Sequence, residues 1–318
     1  MKGRIESALF FPFNMRETNI QKIHMMPSYT RWLLVCCCVL FSFHPKAQSD
    51  TIPFTLTEAN NITIPAVLNA QDTVQLMFHT ASSGMTLTTS ATSRLTGMTW
   101  NGGNTVESWG GENEARFSEG NSLQIGNRIL DSLAIWENEN SGPGTDGKFG
   151  PDYFGPGIIE INFEHSFLVV HDTPPVQMED YHPVEAQFSD DFIFVEATCF
   201  VAGEEIQNSF LLHSGYGGSL LLDDEFAALH LLGTRITITD EQQLSDSYGN
   251  VLTVKKGVLE QAVLGGIPLS EVPVGFFDGA IGRQKMSVLG GGLMKEFNWL
   301  IDASEGWVLI QRINTASE

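Results

Sequence analysis

Two stretches decide the fold: Met77-Phe78-His79-Thr80-Ala81-Ser82-Ser83-Gly84 and Leu211-Leu212-His213-Ser214-Gly215. Each is an apolar run that stops at a histidine, followed by a hydroxyl residue and a small one, and the two histidines lie 134 positions apart. More pairs follow in the same order. Leu123-Gln124-Ile125-Gly126 is answered by Ala262-Val263-Leu264-Gly265, Phe149-Gly150 by Leu289-Gly290, and Phe167-Leu168-Val169 by Trp307-Val308-Leu309, at offsets of 139, 140 and 140. Four matches in order with a slowly drifting offset read as a duplicated unit.

The unit is built of strands. Ile62-Thr63-Ile64, Val74-Gln75-Leu76-Met77-Phe78 and Ile236-Thr237-Ile238 are short alternating or apolar runs punctuated by glycine, the pattern of β-structure. Helical signals are few. The clearest runs from Asp223 to Gly233, with an aspartate cap, early acids and a closing glycine. The sequence therefore predicts an all-β fold of two similar β-lobes with a cleft between them and few short helices. The first lobe is expected over 52–175, a linker over 176–190 and the second lobe over 191–318. From His171 to Asp191 there are three prolines and six acids, which places that segment at the surface.

Composition narrows the function. The 318 residues carry 38 acids against 17 bases, a formal net charge of -21, and such a surface repels phosphate backbones, so no nucleic acid is expected as a partner. Trp32 to Phe43 is a twelve-residue apolar run with Arg31 before it and Lys46-Ala47 after it. Twelve residues are short of the ~20 that a membrane-spanning helix needs. The arrangement reads as a secretory signal peptide within a 1–47 leader, cleaved near Ala47. The expectation is a secreted or periplasmic monomer with no membrane contact after cleavage. Residues 48–318 then hold 11 bases and 36 acids, a net charge of -25, and a single cysteine, Cys199. One cysteine forms no internal disulfide, and its apolar setting marks it as a buried, inert thiol.

The duplicated motif resembles the catalytic element of pepsin-like and retropepsin-like aspartic peptidases, in which an apolar strand ends in Asp-Thr/Ser-Gly once per lobe. Here the matching positions read His79-Thr80-Ala81 and His213-Ser214-Gly215. The family's second signature, two apolar residues and a glycine on a strand behind that turn, is matched by Lys148-Phe149-Gly150 and Val288-Leu289-Gly290, with lysine at one apolar position. The closing hairpin, Phe297 to Ile301 and then Trp307 to Ile310, is also similar, and the likeness covers nearly all of residues 52–312. By the same resemblance Trp109-Gly110 falls where the flap hairpin covers the cleft, with a plain exposed turn as the alternative reading, and Thr80 and Ser214 are expected to brace the two turns across the lobe interface.

The resemblance stops at the chemistry. The family uses two facing aspartates that share a proton, since close like charges cannot both ionise. Histidine stands at both positions here, and no other carboxylate sits at the matching point of either repeat. Three readings follow. In the first, the peptidase scaffold is catalytically silent and its cleft binds an extended polypeptide, with a cationic peptide suited to the acidic surface. In the second, His79 and His213 act as an acid/base pair in a hydrolase of altered mechanism, as histidine can near neutral pH. In the third, the pair binds a metal, although stable zinc sites need a third or fourth protein ligand and no His-Glu-x-x-His motif is present. The first is favoured, with no metal and no cofactor expected.

Overall fold

Strand Phe192–Val201 buries every second side chain, as a strand with one face on a core does. The same alternation, less regular, runs through Ile62–Leu68 and Asp72–Phe78. The computed structural model describes residues 51–108, 111–189, 192–245, 251–277 and 284–313. The leader and the Trp109-Gly110 dipeptide lie outside these described residues. Residues Ser49–Glu318 form one compact unit.

Two eight-stranded sheets share one strand order. In the first, neighbours run Thr55–Leu56, Ile62–Leu68, Asp72–Phe78, Gly147–Phe149, Met85–Thr88, Arg128–Asn138, Gly111–Ile125 and Gly102–Ser108. In the second they run Ala186–Ser189, Phe192–Val201, Glu204–His213, Ser287–Gly290, Leu220–Leu221, Ile267–Phe276, Val251–Leu264 and Ile238–Ser245. Each sheet curls back on itself through one added pairing, Ile62–Leu68 with Gly111–Ile125 and Phe192–Val201 with Val251–Leu264. Among the described residues, Thr55–Leu56 and Gly102–Ser108 remain as the outer strands of the first sheet, and Ala186–Ser189 and Ile238–Ser245 as those of the second. The protein is thus an all-β fold of two lobes with barrel-like sheets.

The registers repeat as well. Phe78 pairs in parallel with Phe149, and Leu212 with Leu289, so offsets of 134 and 140 meet at equivalent points of both sheets. A six-stranded sheet joins the lobes, in the order Thr51–Pro53, Phe167–His171, Ile158–Asn162, Phe297–Asp302, Trp307–Arg312, His182–Val184. At its centre Ile159 pairs with Ile301 and Ile161 with Trp299. With the offset of 140, each of these pairs maps onto the other, so an approximate two-fold axis passes through the pairing of Glu160 with Leu300. Trp299 and Ile161 are fully buried there. The segment 176–190 between the lobes carries strand structure of its own: His182–Val184 completes the joining sheet and Ala186–Ser189 starts the second lobe.

Helices are short. Asp223 caps Asp224–Leu229 by accepting from the Phe226 N–H at 2.8 Å, as expected of an aspartate cap. The expected run to Gly233 is broken, however. Leu231 adopts φ 52°, a left-handed conformation that ends a helix, and a separate turn Leu232–Arg235 follows with Gly233 inside it. Periodicity alone did not show this break, because the apolar pattern continues across it.

Two glycines hold the turns that carry the histidines. A Cβ at Gly150 would lie 1.8 Å from the Ser82 carbonyl oxygen, and one at Gly290 would lie 2.4 Å from those of Tyr216 and Gly218. Only the missing side chain admits this approach. Gly150→Ala and Gly290→Ala are each expected to lower unfolding free energy by about 3 kcal/mol, read as a shift of the urea midpoint. An unchanged midpoint in either variant would contradict the close packing.

Candidate functional site

The two motif strands end side by side at the lobe interface. His79 donates its backbone N–H to the Phe149 carbonyl at 2.9 Å, and each turn then closes on itself, Ser82 N–H to His79 O at 3.1 Å and Tyr216 N–H to His213 O at 3.0 Å. The residues after the histidines lock the turns together. Thr80 N–H donates to Ser214 Oγ and Ser214 N–H to Thr80 Oγ1, both at 3.0 Å. Thr80 Oγ1 donates to Leu212 O and Ser214 Oγ to Phe78 O, both at 2.7 Å. Each hydroxyl therefore accepts once and donates once, in complete burial.

This brace delivers the histidines to each other. The rings of His79 and His213 lie 4.4 Å apart between centroids at 62°, edge to face. His79 is buried and His213 partly buried. Gly215 makes room for the pair, since a Cβ there would lie 2.3 Å from His79 Nε2 and 3.2 Å from His213 Cε1. Ala81 lies in the matching turn, where its N–H donates to His79 Nδ1 at 3.2 Å. That bond makes Nδ1 an acceptor, so the neutral ring carries its proton on Nε2. His213 Nδ1 is buried and, among the described residues, makes no hydrogen bond to another residue.

Both rings are held neutral. Burial pushes His79 well below 6.5, and the His213 imidazole and the Lys148 ammonium add to the effect. Burial first and Lys148 second push His213 down to about 4. Lys148 sits on Gly147–Phe149, paired with Met77 of the His79 strand. It is the residue that departs from the apolar-apolar-glycine pattern, and its charge acts on both histidines. Among the described residues no third His, Cys, Asp or Glu joins the two as a metal-holding group. Cys199 is fully buried and its thiol is pushed up to about 12 by that burial, as an inert thiol should be.

Several other residues shape the site. Phe149, Gly150, Leu289 and Gly290 form the strand ends behind the turns and are buried, as scaffold rather than reacting groups. Trp109-Gly110, the expected flap residues, lie outside the described residues; the strands on either side, Gly102–Ser108 and Gly111–Ile125, pair with each other. There Arg116 grips Glu137 through Nε and Nη2 at 2.7 and 2.6 Å and lies 4.2 Å from the Trp100 ring. Two asparagines escaped the sequence reading. Asn61 Nδ2 donates to Ser214 O at 3.0 Å and Asn60 Nδ2 to Gly217 O at 2.8 Å, so a loop of the first lobe clasps the second turn. The adjacent Asn-Asn pair, with Asn60 at φ 58°, signalled a turn but not its partner.

A polar recess of about 490 Å³ lies elsewhere, on the joining sheet, lined among others by Glu160, Glu164, Glu179 and Tyr181. It is remote in sequence from both histidine turns, and Glu160 there already accepts from His171 Nε2 at 2.7 Å. The chemistry concentrates at the histidine pair.

Two tests follow. Thr80→Val strands the Ser214 N–H and the Leu212 carbonyl, and is expected to cost about 2–3 kcal/mol of unfolding free energy. In a double-mutant cycle with Ser214→Ala the losses should be strongly non-additive, and simple additivity would contradict the brace. Stability should also respond to acid. An imidazole that stays neutral in the fold but titrates near 6.5 when unfolded costs nothing above 6.5 and destabilises as pH falls from there. For His213 the loss is complete below about 4 and on the order of 3 kcal/mol. Urea unfolding from pH 7.5 to 4 should show the loss, with a shallower slope in His79→Gln/His213→Gln; identical slopes would contradict it.

A scan against protein-family models finds no match, and no curated protein matches the sequence.

Proposed function

We propose that the protein is an exported, catalytically silent relative of the two-lobed aspartic peptidases that uses its interlobe cleft to bind an extended polypeptide. The observation that carries this reading is the pairing of two neutral imidazoles, 4.4 Å apart, on turns braced by Thr80 and Ser214. That position demands a carboxylate pair sharing one proton if water is to be activated in the manner of that family. Two neutral rings hold no such anion, and side chains longer than carboxylates fill the space between the turns.

The same geometry weighs against an acid/base pair of histidines. That mechanism needs one ring protonated and one neutral near pH 7, whereas both are pushed below their ordinary range. Polypeptide binding is favoured by the strands around the cleft, because an extended chain adds to exposed strand backbone through main-chain hydrogen bonds. Export rests on the leader reading. Among the described residues no helix is long and apolar enough to cross a membrane.

The purified protein is expected to leave an unfolded protein substrate intact from pH 3 to pH 8, with or without pepstatin. Unfolded polypeptide should nonetheless bind, read as saturable shifts of the His79 and His213 side-chain NMR signals. Cleavage that disappears in His79→Ala or His213→Ala would overturn the silent reading. Signals unmoved by any polypeptide would overturn the binding one.

A further inference from the structure

A small apolar cluster beside the second histidine turn stands apart from the main core. Leu211, Leu221, Val254, Phe277 and Val288 pack together there, all buried. One residue from each histidine turn lies against them, Ala81 of the first and Tyr216 of the second. Tyr216 directly follows Gly215, the residue whose missing side chain makes room for His79. The cluster therefore borders the imidazole pair and touches both lobes.

The lobes differ at this point. Leu221 pairs with Gly275 and Val288 as Thr86 pairs with Trp136 and Lys148. Leu211 pairs with Val288 as Met77 pairs with Lys148. Lys256 meets Gly275 as Phe117 meets Trp136, so Val254 answers Ala115 and Phe277 answers Asn138. The second-lobe set is wholly apolar. The first-lobe set mixes Met77 and Ala115 with Thr86, Asn138 and Lys148, and Asn138 Nδ2 donates to Thr86 Oγ1 at 3.0 Å. At the turn itself the offset of 134 sets Tyr216 against Ser82.

Glycines admit the Tyr216 ring. A Cβ at Gly218 would lie 2.5 Å from its Cζ, one at Gly290 2.5 Å from its Cδ1, and one at Gly275 3.2 Å from its Oη. Gly218 and Gly290 are answered by Gly84 and Gly150 in the first lobe, but Gly275 is answered by Trp136. Glycine at 275 clears space for a ring that the first lobe does not carry. The phenol, pushed up to about 12 by burial, is neutral and suits the apolar setting. A concave apolar wall beside a binding centre is where a ligand side chain lodges, and here the chain's own tyrosine stands against that wall.

We propose that Tyr216 is a built-in plug and the specificity determinant of the cleft: its ring fills an apolar side-chain pocket on the second-lobe side, so that a bound polypeptide passes the second turn without lodging a large apolar residue there. This rests on the reading of the cleft as a polypeptide-binding groove. The pocket is latent, and replacing Tyr216 by the serine that the first lobe carries opens it.

The test uses the full chain and two pools of labelled nonapeptides, with flanking positions drawn from Gly, Ser, Thr and Gln and either Leu or Ala at the centre. Affinity is read by fluorescence anisotropy. The wild type is expected to bind the Leu pool no tighter than the Ala pool. Tyr216→Ser should keep Ala-pool binding, which shows that the variant is folded, and bind the Leu pool about tenfold tighter or more, the worth of burying the extra methylene groups. Adding 4-methylphenol, the lost side chain as a free molecule, should refill the pocket and erase that gain. Tyr216→Phe should behave as the wild type, because the ring rather than the hydroxyl is the plug. Should Tyr216→Ser fail to fold, Tyr216→Val shortens the plug and keeps an apolar contact, and a smaller Leu preference is expected of it. A Leu preference already present in the wild type, or none in a folded variant, overturns this inference and leaves the cleft reading standing. Binding of neither pool by the wild type overturns the cleft reading, and this inference with it.

Discussion

The reciprocal hydrogen bonds of Thr80 and Ser214 are the constraint on which the site depends. Two hydroxyls and two backbone N–H groups, all buried, satisfy one another and two carbonyls across the lobe interface. In a buried network of this kind every member needs every other, because a stranded donor or acceptor costs more than the bond it loses. The brace therefore fixes the two turns in a single mutual geometry. The two-fold register of the joining sheet, with Ile159 on Ile301 and Ile161 on Trp299, imposes the same symmetry from the other end. Between them these two contacts leave the lobes little freedom to change the distance between the residues that precede the hydroxyls.

Those residues are histidines, and their surroundings decide their chemistry. Burial, mutual proximity and Lys148 all disfavour a positive ring, so the pair is a neutral hydrogen-bonding surface at neutral pH. The pair is also asymmetric. His79 Nδ1 accepts from the Ala81 N–H of its own turn, whereas among the described residues His213 Nδ1 has no equivalent donor.

Much of this was legible in the sequence, because duplication makes each motif a check on the other. The histidine turns, the glycines behind them and the closing hairpin each recur once, and the fold pairs Phe78 with Phe149 as it pairs Leu212 with Leu289. The strand alternation that predicted β-structure follows from one-sided burial, as Phe192–Val201 shows. What stayed hidden depends on long-range packing. Asn60 and Asn61 look like ordinary turn residues until the second lobe is brought against them. Leu231 lies within an unbroken apolar pattern, and only its backbone conformation ends the helix. Lys148 was visible as a departure from an apolar signature. Its reach to both histidines required the fold.

The account turns on two adjacent, neutral imidazoles, and NMR of the histidine side chains measures that directly. Resonances of His79 and His213 can be assigned by comparison with His79→Gln and His213→Gln and followed from pH 8 to pH 3. The account predicts cross-relaxation between the two rings and neutral signals for both through pH 6. It also predicts titration of His213 near 4 and a shift in each titration when the other ring is replaced. Two independent titrations near 6.5, with no cross-relaxation between the rings, would contradict it.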